Sequence, residues 1–299
     1  PHGGRVYAHR RPDKVVAEFM DVQIGTEGGS DIGAGTMPLF EGEYNREEAP
    51  RRVWDDATPR RVGGDPCSPL VFGYVEGRGS YRLTSEQFAA NQVAQFVGKL
   101  HAPHHSGGAN WIFTDSTSGG RVSSEVCRAS GEVDAVRLPK EAYYVCRVMF
   151  RDEPQVHILG HWNYAPGTTK AVVVASNAEQ VELRVNGKPV GRRGPDESQG
   201  LSLRYLFTFP DVTWAAGEVK AVAYKGGQVV AEQVKATAGG PVALRLTPIT
   251  GPGGLLADGS DYVLIDVEAV DSEGRRCPTF EQRVDFGTQG PGVWRGGYN

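Results

Sequence analysis

No run of 18 apolar residues occurs anywhere in the 299-residue chain, so no segment is long enough to cross a bilayer as a helix. The four cysteines, Cys67, Cys127, Cys146 and Cys277, contain no CxxC pair. That speaks against a zinc ribbon or a thioredoxin-type redox site. An excess of basic charge is also missing: 32 Lys and Arg stand against 36 Asp and Glu, for a net charge of -4. Neither nucleic acid nor an anionic membrane is therefore expected as a partner. The chain has no initiator Met and no signal peptide. Pro1-His2-Gly3-Gly4 reads as a start inside a larger protein, so the missing leader says nothing about compartment.

A hydrophobic content of 39%, with 9% aromatic residues, suffices for packed cores, and the length fits two or three domains. Gly 40 and Pro 19 are interleaved with β-rich stretches, which points to many turns and an all-β contribution. Cys146 falls in the helical pattern Glu141 to Met149 and is expected as a small buried apolar residue. Cys67 and Cys127 fall in loops, where pairing stays open.

Residues 1–152 alternate apolar runs with helical stretches. Arg5–Ala8, Val15–Met20, Met37–Tyr44 and Asn110–Thr114 read as strands. The alternation implies parallel pairing and βα units. A helix is predicted from about Thr84 to Leu100. Thr84 and Gln87 have capping-box spacing, and Val93, Phe96, Val97 and Leu100 form one apolar stripe. A second is predicted from about Lys140 to Met149, just after Pro139. Between Asn45 and Tyr81 lies a long segment without periodicity. Its Arg46, Glu47, Glu48, Arg51, Arg52, Asp55 and Asp56 read as a solvated surface, whereas Trp54 among them is a candidate for stacking on a sugar.

Residues 153–299 change to short alternating strands. Lys170–Ala175 and Gln180–Val185 precede Asn186-Gly187, a type I′ hairpin signal. Leu201–Phe209, Glu218–Tyr224 and Gln228–Lys235 follow, and the turn spacing points to an immunoglobulin-like sandwich. Trp162 and Trp214 are expected in its core. After Gly239-Gly240 a further sandwich is expected, with strands at Val242–Thr247 and within Ala257–Val267 and a strand and turn from Gly290 onward.

The most informative stretch is Thr36-Met-Pro-Leu-Phe-Glu-Gly-Glu-Tyr-Asn45: a Pro opens an apolar run that ends in Glu43 and an aromatic residue. Side chains alternate along a strand, which puts Leu39, Glu41 and Glu43 on one face. The stretch resembles the nucleophile-bearing strand of glycoside hydrolase family 2, with Gly42 in place of Ser and Asn45 in place of Gly. Gly107-Gly-Ala-Asn-Trp-Ile-Phe-Thr-Asp115 resembles the eighth barrel strand of the same family, in the correct order and spacing.

The resemblance implies an α/β plus all-β chain: residues 1–152 as the C-terminal half of a (β/α)8 TIM barrel, 153–239 as an immunoglobulin-like β-sandwich, and 240–299 as a second, truncated sandwich. It implies a retaining, β-galactosidase- or β-glucuronidase-like hydrolase of terminal β-linked sugars in oligo- or polysaccharides, exported to the periplasm or the exterior. Glu43 would be the nucleophile. Trp111 would line the sugar pocket, and Asp115 would bind hydroxyls or cap the next loop. Glu41 departs from the family's apolar residue and is expected as an internal salt-bridge partner. The acid/base should be a Glu preceded by Asn, yet no Asn-Glu dipeptide occurs in the chain, which places it upstream of Pro1. His101, His104 and His105 suggest a metal, but Pro103 breaks their spacing. No cofactor or metal is expected, and His104 or His105 is a candidate for the pocket wall. The competing class is a non-catalytic carbohydrate-binding or spacer protein.

Overall fold

The computed structural model describes residues 6–10, 19–25, 38–44, 47–51, 54–58, 83–102, 104–116 and 129–297. Cys67, Cys127, Arg46, Arg52 and most of the long segment before Tyr81 lie outside the described residues.

Strands β1 (Ala8–Arg10), β2 (Val22–Gly25), β3 (Leu39–Tyr44) and β4 (His105–Asn110) pair side by side in chain order, every pair parallel. The first strand starts where Arg5–Ala8 was expected to end. Of the run expected at Val15–Met20, Val15–Glu18 lie outside the described residues, and Phe19 and Met20 precede the second strand, Val22–Gly25. The fourth ends where Asn110–Thr114 was expected to begin. Its sequence, His-Ser-Gly-Gly-Ala-Asn, has no apolar periodicity. Gly107 within it has φ of 137°, a conformation open to glycine and strained for other residues.

Helix α1 (Ser85–Leu100) bears out the capping signal. Thr84 is its N-cap, its side chain accepts from the Gln87 amide, and the Gln87 side chain accepts from the Thr84 amide. Val93 and Val97 are buried, whereas Leu100, the end of the predicted stripe, is exposed. Helix α2 (Glu141–Phe150) has Lys140 at its N-cap, in an extended conformation. The two helices share an apolar cluster (Ala89, Val93, Val97, Val145, Val148, Met149), and Leu159, Ala175 and Leu206 from the strands beyond belong to it too.

Those strands form two antiparallel sheets that enclose one core. β5 (Val156–Ile158), β6 (Thr169–Ser176) and β11 (Leu206–Thr213) make the first. β7 (Gln180–Val185), β8 (Lys188–Arg193), β12 (Glu218–Lys225) and β13 (Gln228–Ala236) make the second. Ile158, Val174, Phe207 and Phe209 face Val181, Leu183, Val219 and Ala221 across the core. Between β7 and β8, Asn186 and Gly187 have φ of 49° and 76°, the two left-handed residues of a type I′ turn. The run expected from Leu201 to Phe209 is broken: a short pair, β9 (Glu197–Ser198) and β10 (Leu201–Ser202), stops before Arg204, whose φ is 45°. In β11 the ladder slips between Phe209 and Val212, across Pro210, which has no amide hydrogen to donate.

Trp162 is buried in this core, as expected, and Trp214 packs partly buried against it. The Trp162 indole N–H donates to the Ala215 carbonyl and the Trp214 indole to the Trp162 carbonyl, each at 3.1 Å. Beyond Ala238, β14 (Ala243–Ile249) and β15 (Leu264–Val270) form a two-stranded antiparallel ribbon. The strand expected after Gly290 is not formed over residues 290–297.

Removing a ring from the fully buried side of this core should be felt strongly. Phe207→Ala is expected to cost about 3–5 kcal/mol, against less than about 1 kcal/mol for Val234→Ala on the exposed side of β13. Urea unfolding followed by tryptophan fluorescence measures both. Equal losses would place the core elsewhere.

Candidate active site

Glu43 sits near the C-terminal end of β3, partly exposed, beside the C-terminal end of β4. In parallel α/β sheets that end is where chemical groups converge. Tyr44 is in register with Asn110, so Trp111 follows directly on the neighbouring strand. Trp111 is partly buried and joined to Ile112 by a cis peptide bond. From there the chain leaves β3: the Ile112 amide donates to the Ser130 carbonyl, and the Glu132 amide to the Ile112 carbonyl.

Leu39 and Glu41 are buried and Phe40 between them is exposed, as one shared face requires, and Glu43 beyond them is partly exposed. Glu41 pairs with Gly108 and Tyr44 with Asn110, and the register slips between them, in the interval that holds Glu43. Glu41 is 2% exposed, ion-paired with Lys99 of α1, with His105 Nε2 3.7 Å away. It is the internal salt-bridge partner that was expected. Its partner Lys99 comes from α1. Phe40 on the opposite face of the strand is 41% exposed.

Two expected sugar contacts are turned to other uses. Trp54 is only 8% exposed. Its indole N–H points to the Pro278 carbonyl at 3.5 Å, its ring meets His161 edge-on at 5.8 Å, and the Arg276 guanidinium lies 5.9 Å above it. No open ring face remains for a sugar. Asp115 is also buried: its Oδ1 accepts from Lys140 Nζ at 2.5 Å and from the Gly131 amide at 2.8 Å. Of its two expected roles, the loop anchor is the one it fills. Burial pushes its carboxyl up to about 6, against the opposing pull of Lys140.

Among the described residues of the charged segment after β3, several are not solvated. Glu48 and Asp55 are buried, and Arg51 Nε meets Asp134 Oδ2 at 2.7 Å. Asp56 is exposed, accepting from Gln87 Nε2 at 2.8 Å. Asp55 accepts from the amides of Ala57 and Thr58, from the Tyr164 hydroxyl, and from Lys170 at 2.6 Å. Lys170 also reaches Glu86 at 2.7 Å. Burial alone would raise the Asp55 carboxyl, but the Lys170 charge and the bonds from Lys170 and Tyr164 hold it far below the carboxylate range. Glu86, with the same lysine but deeper burial, is pushed up to about 8. His161 accepts or donates at 2.7 Å with Thr58 and stacks on Tyr164 at 4.5 Å. Burial drives its imidazole down to about 4, with Asp55 opposing.

Sequence reasoning did not single out Lys140, His161, Tyr164 or Lys170. Lys140 entered only as the start of a helix and Lys170 only as the start of a strand; the fold supplies their carboxylates. The three clustered histidines separate: His101 Nδ1 lies 2.9 Å from the Val97 carbonyl, His104 is exposed with φ of 64°, and His105 lies by Glu41. Cys146 is half-buried, accepting from Gln92 Nε2 at 2.8 Å, and burial raises its thiol well beyond the usual range.

His161 binds fewer protons folded than unfolded between its usual 6.5 and about 4. Its contribution to stability is therefore present above pH 6.5 and lost as pH falls toward 4, by roughly 3 kcal/mol at most. Glu86 runs the other way, losing stability as pH rises from 4.5 toward 8. His161→Gln should flatten the acid-side slope of Tm against pH and leave the slope above pH 6.5 in place. An unchanged acid limb would show that His161 is not its source.

Residues 167–231 match a family model described as a domain of unknown function, DUF4982. A β-glucuronidase of Formosa agariphila is 48% identical over 303 residues, all of this chain and 30% of that protein. A β-galactosidase of Bacteroides ovatus is 37% identical over 167 residues, 56% of this chain and 19% of that protein. Among solved structures, a β-glucuronidase from glycoside hydrolase family 2 is 49% identical with a TM-score of 0.80, covering 94% of this chain and 28% of that one. The chain thus spans less than a third of the length of these relatives, and it belongs to glycoside hydrolase family 2.

Proposed function

We propose that this chain carries the nucleophile of a retaining β-glycosidase and that the nucleophile is Glu43. The observation that carries the reading is its place: a partly exposed carboxylate near the C-terminal end of a parallel strand, beside the strand that leads into Trp111. In such an enzyme one carboxylate attacks the anomeric carbon and forms a glycosyl ester. A second carboxyl protonates the departing oxygen and then takes a proton from the water that breaks the ester. The chain has no Asn-Glu dipeptide; in this reading the acid/base comes from sequence outside these 299 residues. The parallel order of β1 to β4 supports assigning residues 1–152 to half of a (β/α)8 barrel. The two sheets over one core support an immunoglobulin-like sandwich for 153–239, with 240–299 starting a further one.

The sugar we favour is a β-glucuronide, since the relative matching the whole chain carries that name, whereas the β-galactosidase matches 56% of it. A non-catalytic carbohydrate-binding or spacer role draws on the burial of Trp54 and Asp115, which withdraws two expected contacts. The partial exposure of Glu43 weighs against it.

The test is a chimera in which this chain replaces the segment it matches in the Formosa agariphila β-glucuronidase. It should hydrolyse an aryl β-glucuronide with retention, read as the first-formed anomer by NMR. Inversion would rule out a covalent intermediate. Glu43→Gln should lower kcat on the order of 10⁴-fold with the fold intact. Glu41→Gln should instead destabilise the protein by about 3 kcal/mol through the orphaned Lys99, with kcat of the folded fraction changed only a few-fold. A larger kcat loss at Glu41 would move the nucleophile there.

A further inference from the structure

We infer that Lys140 is a positioning residue, an ammonium clamp that fixes the exit of the Glu43 strand against the exit of the Trp111 strand; this rests on the reading of Glu43 as nucleophile. Lys140 is 1% exposed. Its Nζ donates to Asp115 Oδ1 at 2.5 Å, to the Ala49 carbonyl at 2.9 Å and to the Ala129 carbonyl at 3.0 Å. An ammonium has three donors, and here they meet three acceptors on three separate segments. Ala49 lies in the segment that leaves β3 after Glu43. Asp115 lies at the end of the segment that leaves β4 through Trp111.

The surroundings make this junction stiff. The Ala49 amide donates to the Ala129 carbonyl at 2.9 Å, so both backbone groups of Ala49 are held. The Asp115 amide donates to the Val133 carbonyl at 3.0 Å. A Cβ on Gly131 would stand 2.2 Å from the Asp115 nitrogen, so that approach is open only to glycine. Lys140 itself is anchored from behind: its amide donates to the Glu132 carbonyl at 3.1 Å, and it caps α2. The clamp therefore ties both strand exits to a helix packed into the core shared with the sandwich.

The consequence for chemistry is geometric. Glu43 and Trp111 end different strands, and β3 and β4 bear a register slip at that end. Sheet hydrogen bonds alone do not fix their relative position there. A misplacement of about 1 Å between reacting groups lowers rate by about 100-fold. A buried cation with a partner from each exit is suited to suppress it, because an uncompensated buried charge makes any loosening costly.

Two measurements test this, on variants Lys140→Met and Lys140→Met/Asp115→Asn. The double variant removes the clamp without stranding a buried carboxylate, so its stability should recover relative to the single variant. First, in this chain as it stands, amide exchange should quicken together in residues 47–51 and 111–116 of the double variant and stay unchanged in β7 and β12. Quickening in neither segment, or in one alone, overturns the clamp. Second, in the chimera, kcat of the double variant should remain about 10- to 100-fold low with KM changed less than about threefold. Recovery of kcat along with stability would mean that Lys140 serves the fold only, and overturns the proposal. A chimera inactive with Lys140 in place refutes the nucleophile reading and this proposal's catalytic half with it; the exchange result still decides whether the clamp exists.

Discussion

Taking an ammonium group out of water costs several kcal/mol unless acceptors replace the lost solvent. Among the described residues, Lys235 meets that constraint with the Gly160 carbonyl, and three further lysines meet it with carboxylates. Lys99 meets Glu41, Lys140 meets Asp115, and Lys170 lies between Asp55 and Glu86. Each pairing joins segments far apart in the chain: α1 to β3, the α2 cap to the exit of β4, β6 to the segment after β3 and to α1. Apolar burial supplies most of the driving force for folding, but it is non-directional. Which loop lies against which element is fixed by groups that tolerate only one arrangement. Losing one partner leaves a charge stranded, so these contacts select geometry more than they add stability.

The sandwich is accordingly more than an appendage. Its first sheet turns one face to its own core and the other to α1 and α2, through Leu159, Ala175 and Leu206. Polar contacts follow the same seam. His157 of β5 meets Glu141 of α2 at 2.7 Å and Gln233 of β13 at 3.2 Å, with Tyr144 stacked on its ring at 4.1 Å. Lys170, in the segment that matches a domain of unknown function, supplies the cation that draws Asp55 inward. One physical role of that segment is thus to hold the loop that follows the Glu43 strand.

What could be read in the sequence was what local physics decides. The capping box at Thr84 and Gln87, the Asn186-Gly187 turn and the alternating strands beside it depend on neighbours in the chain. The place of Glu43 near the end of β3 was legible because a motif ties it to a strand end, whereas Trp111, expected inside a strand, follows the end of β4. β4 was misplaced because His105 to Asn110 carries no apolar pattern; its strand character comes from pairing with β3. Glu48 and Asp55 were taken for surface, and Trp54 for a sugar-stacking ring, because a charged loop reads as solvated until its acceptors and donors are known. Lys170 and His161 come from sequence more than a hundred residues away from Asp55 and Thr58, as their separations of 115 and 103 show. No local pattern carries that information.

In the proposed reading, Glu41 and Glu43 have separate tasks on one strand. The register of β3 slips between Glu41 and Tyr44, the interval that holds Glu43. Glu41 is committed to Lys99 beneath α1, where its charge is balanced and enclosed. Bulges of this kind re-aim side chains next to reactive sites at the cost of ladder bonds, and a ladder with fewer bonds needs another restraint on its far end. Lys140 stands where such a restraint is required, bonded to the backbone that leaves β3 and to the carboxylate that follows β4.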